Sequence, residues 1–90
     1  MSELEKTEYS ARLHIIDRHV RSIYVMLMSG GAESEIMRQI QATSRALVAL
    51  RQVMLGRVTE RMLSLAATMS EDERVACLRT LLTLWRRYED

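Results

Sequence analysis

The chain has 90 residues and a mass of 10.4 kDa, room for one domain at most and near the lower size at which a domain folds alone. Apolar residues make up 48% and charged residues 28%, which excludes a disordered chain, and with no proline, no phenylalanine and only three glycines the expected fold class is all-α. One cysteine excludes an intrachain disulfide, the longest uncharged stretch (residues 22–32) is too short to span a bilayer, and Glu3 and Glu5 replace the basic start of a signal peptide, so a cytoplasmic protein without a membrane partner is expected.

The first helix is expected over residues 4–28. Ser2-x-x-Glu5 has the form of a capping box, and Ser29, Gly30 and Gly31 supply the stop. Between them Leu13, Ile16, Val20, Ile23 and Leu27 step by three and four, an a/d seam that on a helix makes one stripe. A second helix is expected over residues 33–67, carrying Ile36, Ile40, Thr43, Leu47, Leu50, Met54, Val58, Met62 and Leu65 at the same spacing. Gly56 falls inside it and should weaken it by about 1 kcal/mol without breaking it. Ser70-x-x-Glu73 repeats the capping form, with Glu71 and Asp72 suited to the positive end of a helix dipole. Val75, Leu78, Leu82 and Trp85 continue the seam in the third helix, and Cys77, Leu81 and Leu84 form a second apolar stripe there.

Lengths bear on assembly. A helix over residues 33–67 spans roughly 50 Å, whereas a compact 90-residue globule is only about 32 Å across. The seam of the second helix therefore outruns its own protomer. The expected architecture is a single three-helix domain over residues 1–90, paired with itself as an antiparallel bundle dimer or tetramer.

The net charge of +1 hides an uneven layout. Residues 1–8 carry three glutamates against one lysine, residues 9–59 seven arginines against three acids, and residues 60–90 five arginines against six acids. Residues 36–59 contain four arginines and no acid, a feature that a pure scaffold does not need. Twelve of the thirteen basic side chains are arginine, whose planar fork suits phosphate. No nucleophile–base–orienter set, glycine-rich phosphate loop or catalytic carboxylate pair is present, so no enzyme is expected.

Arg12-Leu13-x-x-Ile16-Asp17-x-x-Val20-Arg21-x-Ile23, then Gly30, then Ile36-Met37-x-Gln39-Ile40-x-Ala42-x-x-x-Ala46-Leu47, resemble a known family. The pattern is similar to that of the CsoR/RcnR/FrmR family of small bacterial repressors, which sense copper, nickel, cobalt, formaldehyde or persulfide. Its register is kept without a gap over residues 8–62. The resemblance implies a three-helix protomer, an antiparallel dimer usually built into a flat tetramer, DNA held by basic side chains of the first two helices, and an inducer site between subunits.

At that site the chain departs from the family. The family's ligands follow C-x24-H-x3-[CH], and these positions fall on Glu33, Val58 and Met62. A carboxylate, an alkyl group and a thioether do not make an N/S site for Cu(I), Ni(II) or Zn(II), so no metal and no cofactor is expected there. Glu33 is also no nucleophile for formaldehyde or persulfide adducts. On the DNA side, Arg12 and Arg21 match the family's basic positions, a Gly-Gln pair reads Arg18-His19, one basic position reads Ile15, and a helix-2 arginine falls on Ser44 with Arg45 one residue later. A small resemblance of Arg12, Ile16 and Asp17 to the first helix of all-α chorismate mutases has its spacing off by one, and no active-site set follows it.

Single residues have ordinary readings. His14 and His19 are five apart and share no helix face, so they read as surface or phosphate-facing residues rather than a metal pair. Cys77 reads as a small buried hydrophobe, the seven methionines as core filler in a chain without phenylalanine, and Trp85 as helix packing. The expectation is an oligomeric transcriptional repressor that binds double-stranded DNA through Arg12, Arg18, Arg21, Arg38 and Arg45, with its usual metal or thiol sensing site lost. The alternative is a helical module that pairs with a related repressor subunit or another protein and binds neither DNA nor metal.

Overall fold

The computed structural model describes residues 1–89, and within them the chain is three helices without a strand: α1 (Glu3–Met28), α2 (Glu33–Ala66) and α3 (Glu71–Tyr88). The all-α expectation holds, and the helix limits fall within one residue of those read from the capping and stop signals. Both capping boxes form. The Ser2 hydroxyl accepts from the Glu5 N–H at 3.1 Å while the Ser2 N–H donates to Glu5 Oε1 at 3.1 Å. Ser70 and Glu73 repeat the exchange at 3.3 and 3.4 Å.

The stop of α1 is a Schellman turn. The Gly30 N–H donates to the Leu27 carbonyl and the Gly31 N–H to the Met26 carbonyl, with Gly30 at a φ of 77° that a side chain would strain. At the other stop, α2 has no basic residue in its last turn. Arg74 of α3 supplies the charge instead, its guanidinium donating to the carbonyls of Ala66 and Met69 at 3.1 Å each.

The chain forms two compact units, Met1–Leu50 and Arg51–Asp90, and the division falls inside α2, which runs unbroken through Gly56. In the first unit the buried side chains are Tyr9 and Ile16 of α1 with Ile36, Thr43 and Leu50 of α2, each seven residues from the next on its helix. Thr43 is polar and buried, and its hydroxyl donates to the Gln39 carbonyl one turn back at 2.9 Å. In the second unit Leu55, Ala66, Cys77 and Leu81 are buried.

Two seams differ from the sequence reading. On α1 only Ile16 and Ile23 of the predicted stripe turn inward; Leu13, Val20 and Leu27 remain 47%, 49% and 59% exposed. Tyr9 fills the inner line instead, its phenol donating to Glu5 Oε2 at 3.2 Å. A 3-4 repeat defines a stripe wide enough for two adjacent lines, and packing selects one of them. On α3 the inward face is Cys77, Leu81 and Leu84, the second stripe, while Val75, Leu78 and Leu82 stay exposed. Trp85, also largely exposed, is tied to α2 by its indole N–H, which donates to Thr59 Oγ1 at 2.9 Å.

Candidate nucleic-acid interface

All five arginines expected at DNA lie in the first unit, three on α1 and two on α2. A helix turns about 100° per residue, which puts Arg18 and Arg21 some 140–160° from the buried line through Tyr9, Ile16 and Ile23. His14 shares that outward face, and all three side chains are exposed. Arg38 and Arg45, seven residues apart, align within about 20° on α2, again some 140–160° from its buried line through Ile36, Thr43 and Leu50. Arg12 stands apart, about 40° from the buried line of α1, and is the more covered for it.

The charges on these faces are not equivalent. Arg12 reaches Glu8 at 3.7 Å, Arg21 holds Asp17 at 3.1 Å, and Arg38 pairs with Glu35. Glu35 also accepts from the Gln39 amide at 3.0 Å; that bond first and the Arg38 guanidinium second hold its carboxyl below the usual carboxylate range. Arg18 and Arg45 are exposed and have no carboxylate partner among the described residues. They are the outward cations most ready to meet a polyanion.

The acid-free stretch of residues 36–59 is only half available as surface. Arg38 and Arg45 are exposed, but Arg51 and Arg57 are half-buried in the second unit, with the Arg51 guanidinium 5.7 Å from the centre of the Tyr88 ring. In sequence the four arginines are alike, because composition carries no information on which turn of α2 is covered.

The three positions of the family's ligand set are placed as follows. Glu33 is the first residue of α2 and is exposed. Val58 lines a cavity of about 340 Å³ with Arg51, Met54, Leu55, Leu84 and Tyr88. Met62 is half-buried one turn from the end of α2. A hard carboxylate, a hydrocarbon and one thioether do not fit the soft or borderline cations that such a site takes. Among the described residues no group of three or more His, Cys, Asp and Glu side chains converges on a metal position, and no helix is long and apolar enough to cross a membrane.

Neither the curated proteins nor the solved structures include a match to this chain. Residues 5–84, most of its length, match the family described as metal-sensitive transcriptional repressor. With its three helices in the family's order, the chain belongs to the CsoR-like family of metal-sensitive transcriptional repressors.

Proposed function

We propose that this chain is a DNA-binding repressor whose inherited metal and thiol sensing site has lost its ligands, so that its effector is a different one or is absent. The observation that carries the reading is the pair of outward basic faces on α1 and α2, with Arg18 and Arg45 unopposed among the described residues, Arg21 and Arg38 held in place by carboxylates on their own helices, and Arg12 to one side of them. Arginines on two rigid helices neutralise phosphates and fix the register of the protein on the duplex, and DNA shape then supplies specificity.

Self-association belongs to the same reading. Leu13, Val20 and Leu27 recur every seven residues on α1, Ile40, Leu47 and Met54 do so on α2, and both lines are substantially exposed in the single chain. A second copy of the chain is the occupant proposed for them, because an isologous pair would bring the same heptad lines from both partners together and double the basic face. The protein would then act in the cytoplasm on chromosomal DNA.

Fluorescence anisotropy with the duplex upstream of the protein's own gene, and with an unrelated duplex, tests the reading at several salt concentrations. Binding that weakens steeply with salt supports it. Folded, oligomeric protein that binds neither duplex at low salt rejects it, and a module that pairs with a related repressor or another protein then leads.

A further inference from the structure

Arg51, Met54, Leu55 and Val58 occupy positions i, i+3, i+4 and i+7 of α2 and so share one face of it. Leu84 and Tyr88, one turn apart on α3, close that face into a cavity of about 340 Å³ within the second unit. Among the described residues that line it, Arg51 is the one cation and none is acidic. We propose that this cavity is a binding site for a small amphiphilic carboxylate, its charged end on Arg51 and its apolar body against Met54, Leu55, Val58 and Leu84. The inference does not rest on the DNA reading.

The walls are held in place by the protein itself. The Gln52 amide donates to the Tyr88 carbonyl at 2.8 Å, and the Trp85 indole N–H donates to Thr59 Oγ1 at 2.9 Å. These two bonds pin α3 to α2 at levels that bracket Leu55 and Val58. The Thr59 hydroxyl donates in turn to the Leu55 carbonyl at 2.8 Å. Leu55 is buried, and Val58, Leu84 and Tyr88 are half-buried. A preformed apolar concavity with one well-placed polar group is the common form of a small-molecule site. At roughly 30 Å³ for each water-sized atom, a volume of about 340 Å³ takes about eleven non-hydrogen atoms, the size of octanoate.

Arg51 selects the ligand. It is one of the two arginines of residues 36–59 that are half-buried, and its guanidinium carbon lies 5.7 Å from the centre of the Tyr88 ring. The ring draws the cation through its quadrupole and keeps it at the cavity wall. A guanidinium carries more N–H donors than one partner takes up, and a carboxylate fits its planar fork bidentately. Beside hydrocarbon such a pair is screened less than in water, so it gains from the same walls that take the apolar body. A metal cation is repelled by Arg51 and meets no carboxylate or imidazole among the described lining residues. A neutral hydrocarbon gains nothing from the guanidinium, and a nucleic-acid backbone has no apolar body to fill the cavity.

Isothermal titration of the purified protein with octanoate, octanol and acetate tests the site. The expected result is one octanoate bound per protomer. Octanol, which lacks the charge, and acetate, which lacks the apolar body, should each bind at least about tenfold more weakly. Arg51→Met keeps an apolar stem and removes the cation, so it should weaken octanoate by about tenfold or more and leave octanol unchanged. Val58→Trp fills the cavity and should weaken both, whereas Arg79→Met, at an exposed position of α3, should change neither. Circular dichroism reports whether each variant is folded, and the ligand series on the wild type keeps the test decisive should a variant unfold. Octanol bound as tightly as octanoate, octanoate affinity unchanged in Arg51→Met or Val58→Trp, or no stoichiometric binding overturns the proposal. So does octanoate that binds only as the oligomer dissociates in sedimentation, since a second copy of the chain then fills the cavity. DNA is absent from these titrations, so their failure leaves the repressor reading standing, and failure to bind DNA leaves this site standing.

Discussion

If the outward faces of α1 and α2 hold phosphates, the five arginines should differ in a measurable order. Replacing Arg18 or Arg45 by alanine removes a cation that has no carboxylate partner to release among the described residues. Each phosphate contact contributes about 0.9 to the slope of log K against log salt, and a dimer loses two contacts per substitution, so the slope should become shallower by about 1.8. Over a fourfold rise in salt that difference amounts to about 12-fold: affinity of the wild type falls that much further than affinity of the variant. Arg12→Ala, Arg21→Ala and Arg38→Ala should change the slope less, because Glu8, Asp17 and Glu35 compete with phosphate for those guanidiniums. Arg79→Ala on α3 alters net charge equally but lies outside both faces, and it serves as the control. Anisotropy titrations at four or more salt concentrations give the slopes. An Arg79→Ala slope change as large as that of Arg18→Ala, or unchanged slopes for both Arg18→Ala and Arg45→Ala, would refute the assignment.

Glu35→Gln should raise DNA affinity and steepen the salt slope, since the folded-state carboxyl is held below its usual range and is ionised against Arg38 at neutral pH. The sign runs the same way with acid: the pair's contribution is complete above the unfolded carboxylate value of about 4.3 and fades only as pH falls through the lower folded value. Equal affinities for variant and wild type at neutral pH would mean that Arg38 does not meet DNA. Two glycines should respond in opposite directions to alanine in chemical denaturation. Gly30→Ala should cost about 1 kcal/mol because its φ is 77°, whereas Gly56→Ala should add about 0.5–1 kcal/mol, because an added Cβ on that helical residue meets nothing within 4 Å in its own chain. A loss of stability at Gly56→Ala would instead place another chain against that turn. Sedimentation at micromolar concentration should find dimers or tetramers, and a cooperatively folded monomer would contradict the pairing of the exposed heptad lines.

Local signals were legible to within a residue. Ser2 with Glu5, Ser70 with Glu73, and Gly30 each determine a helix end through bonds made inside one turn, so their spacing alone is informative. Which apolar line faces inward is a different kind of fact. Val20 and Ile23 satisfy the same 3-4 repeat, yet one is exposed and the other half-buried, because the choice is made by the neighbouring helix. The same holds for Val75 and Cys77 on α3. Tyr9 extends the covered line one turn before Leu13, where a phenol with a polar tip is an ambiguous apolar signal. The candidate DNA residues were legible as arginines, and their ranking too is written in spacing, since an acid stands three or four residues before Arg12, Arg21 and Arg38 but not before Arg18 or Arg45.

Arg74 makes the end of one helix depend on the next. The carbonyl of Ala66 at the end of α2 is met by a side chain eight residues further along, on α3. The last turn of α2 has no basic residue of its own to oppose the negative end of its dipole. The same guanidinium holds the carbonyl of Met69, so the hairpin is finished from its far side. Arg74→Ala should therefore speed amide exchange at residues 63–66 more than at the start of α2.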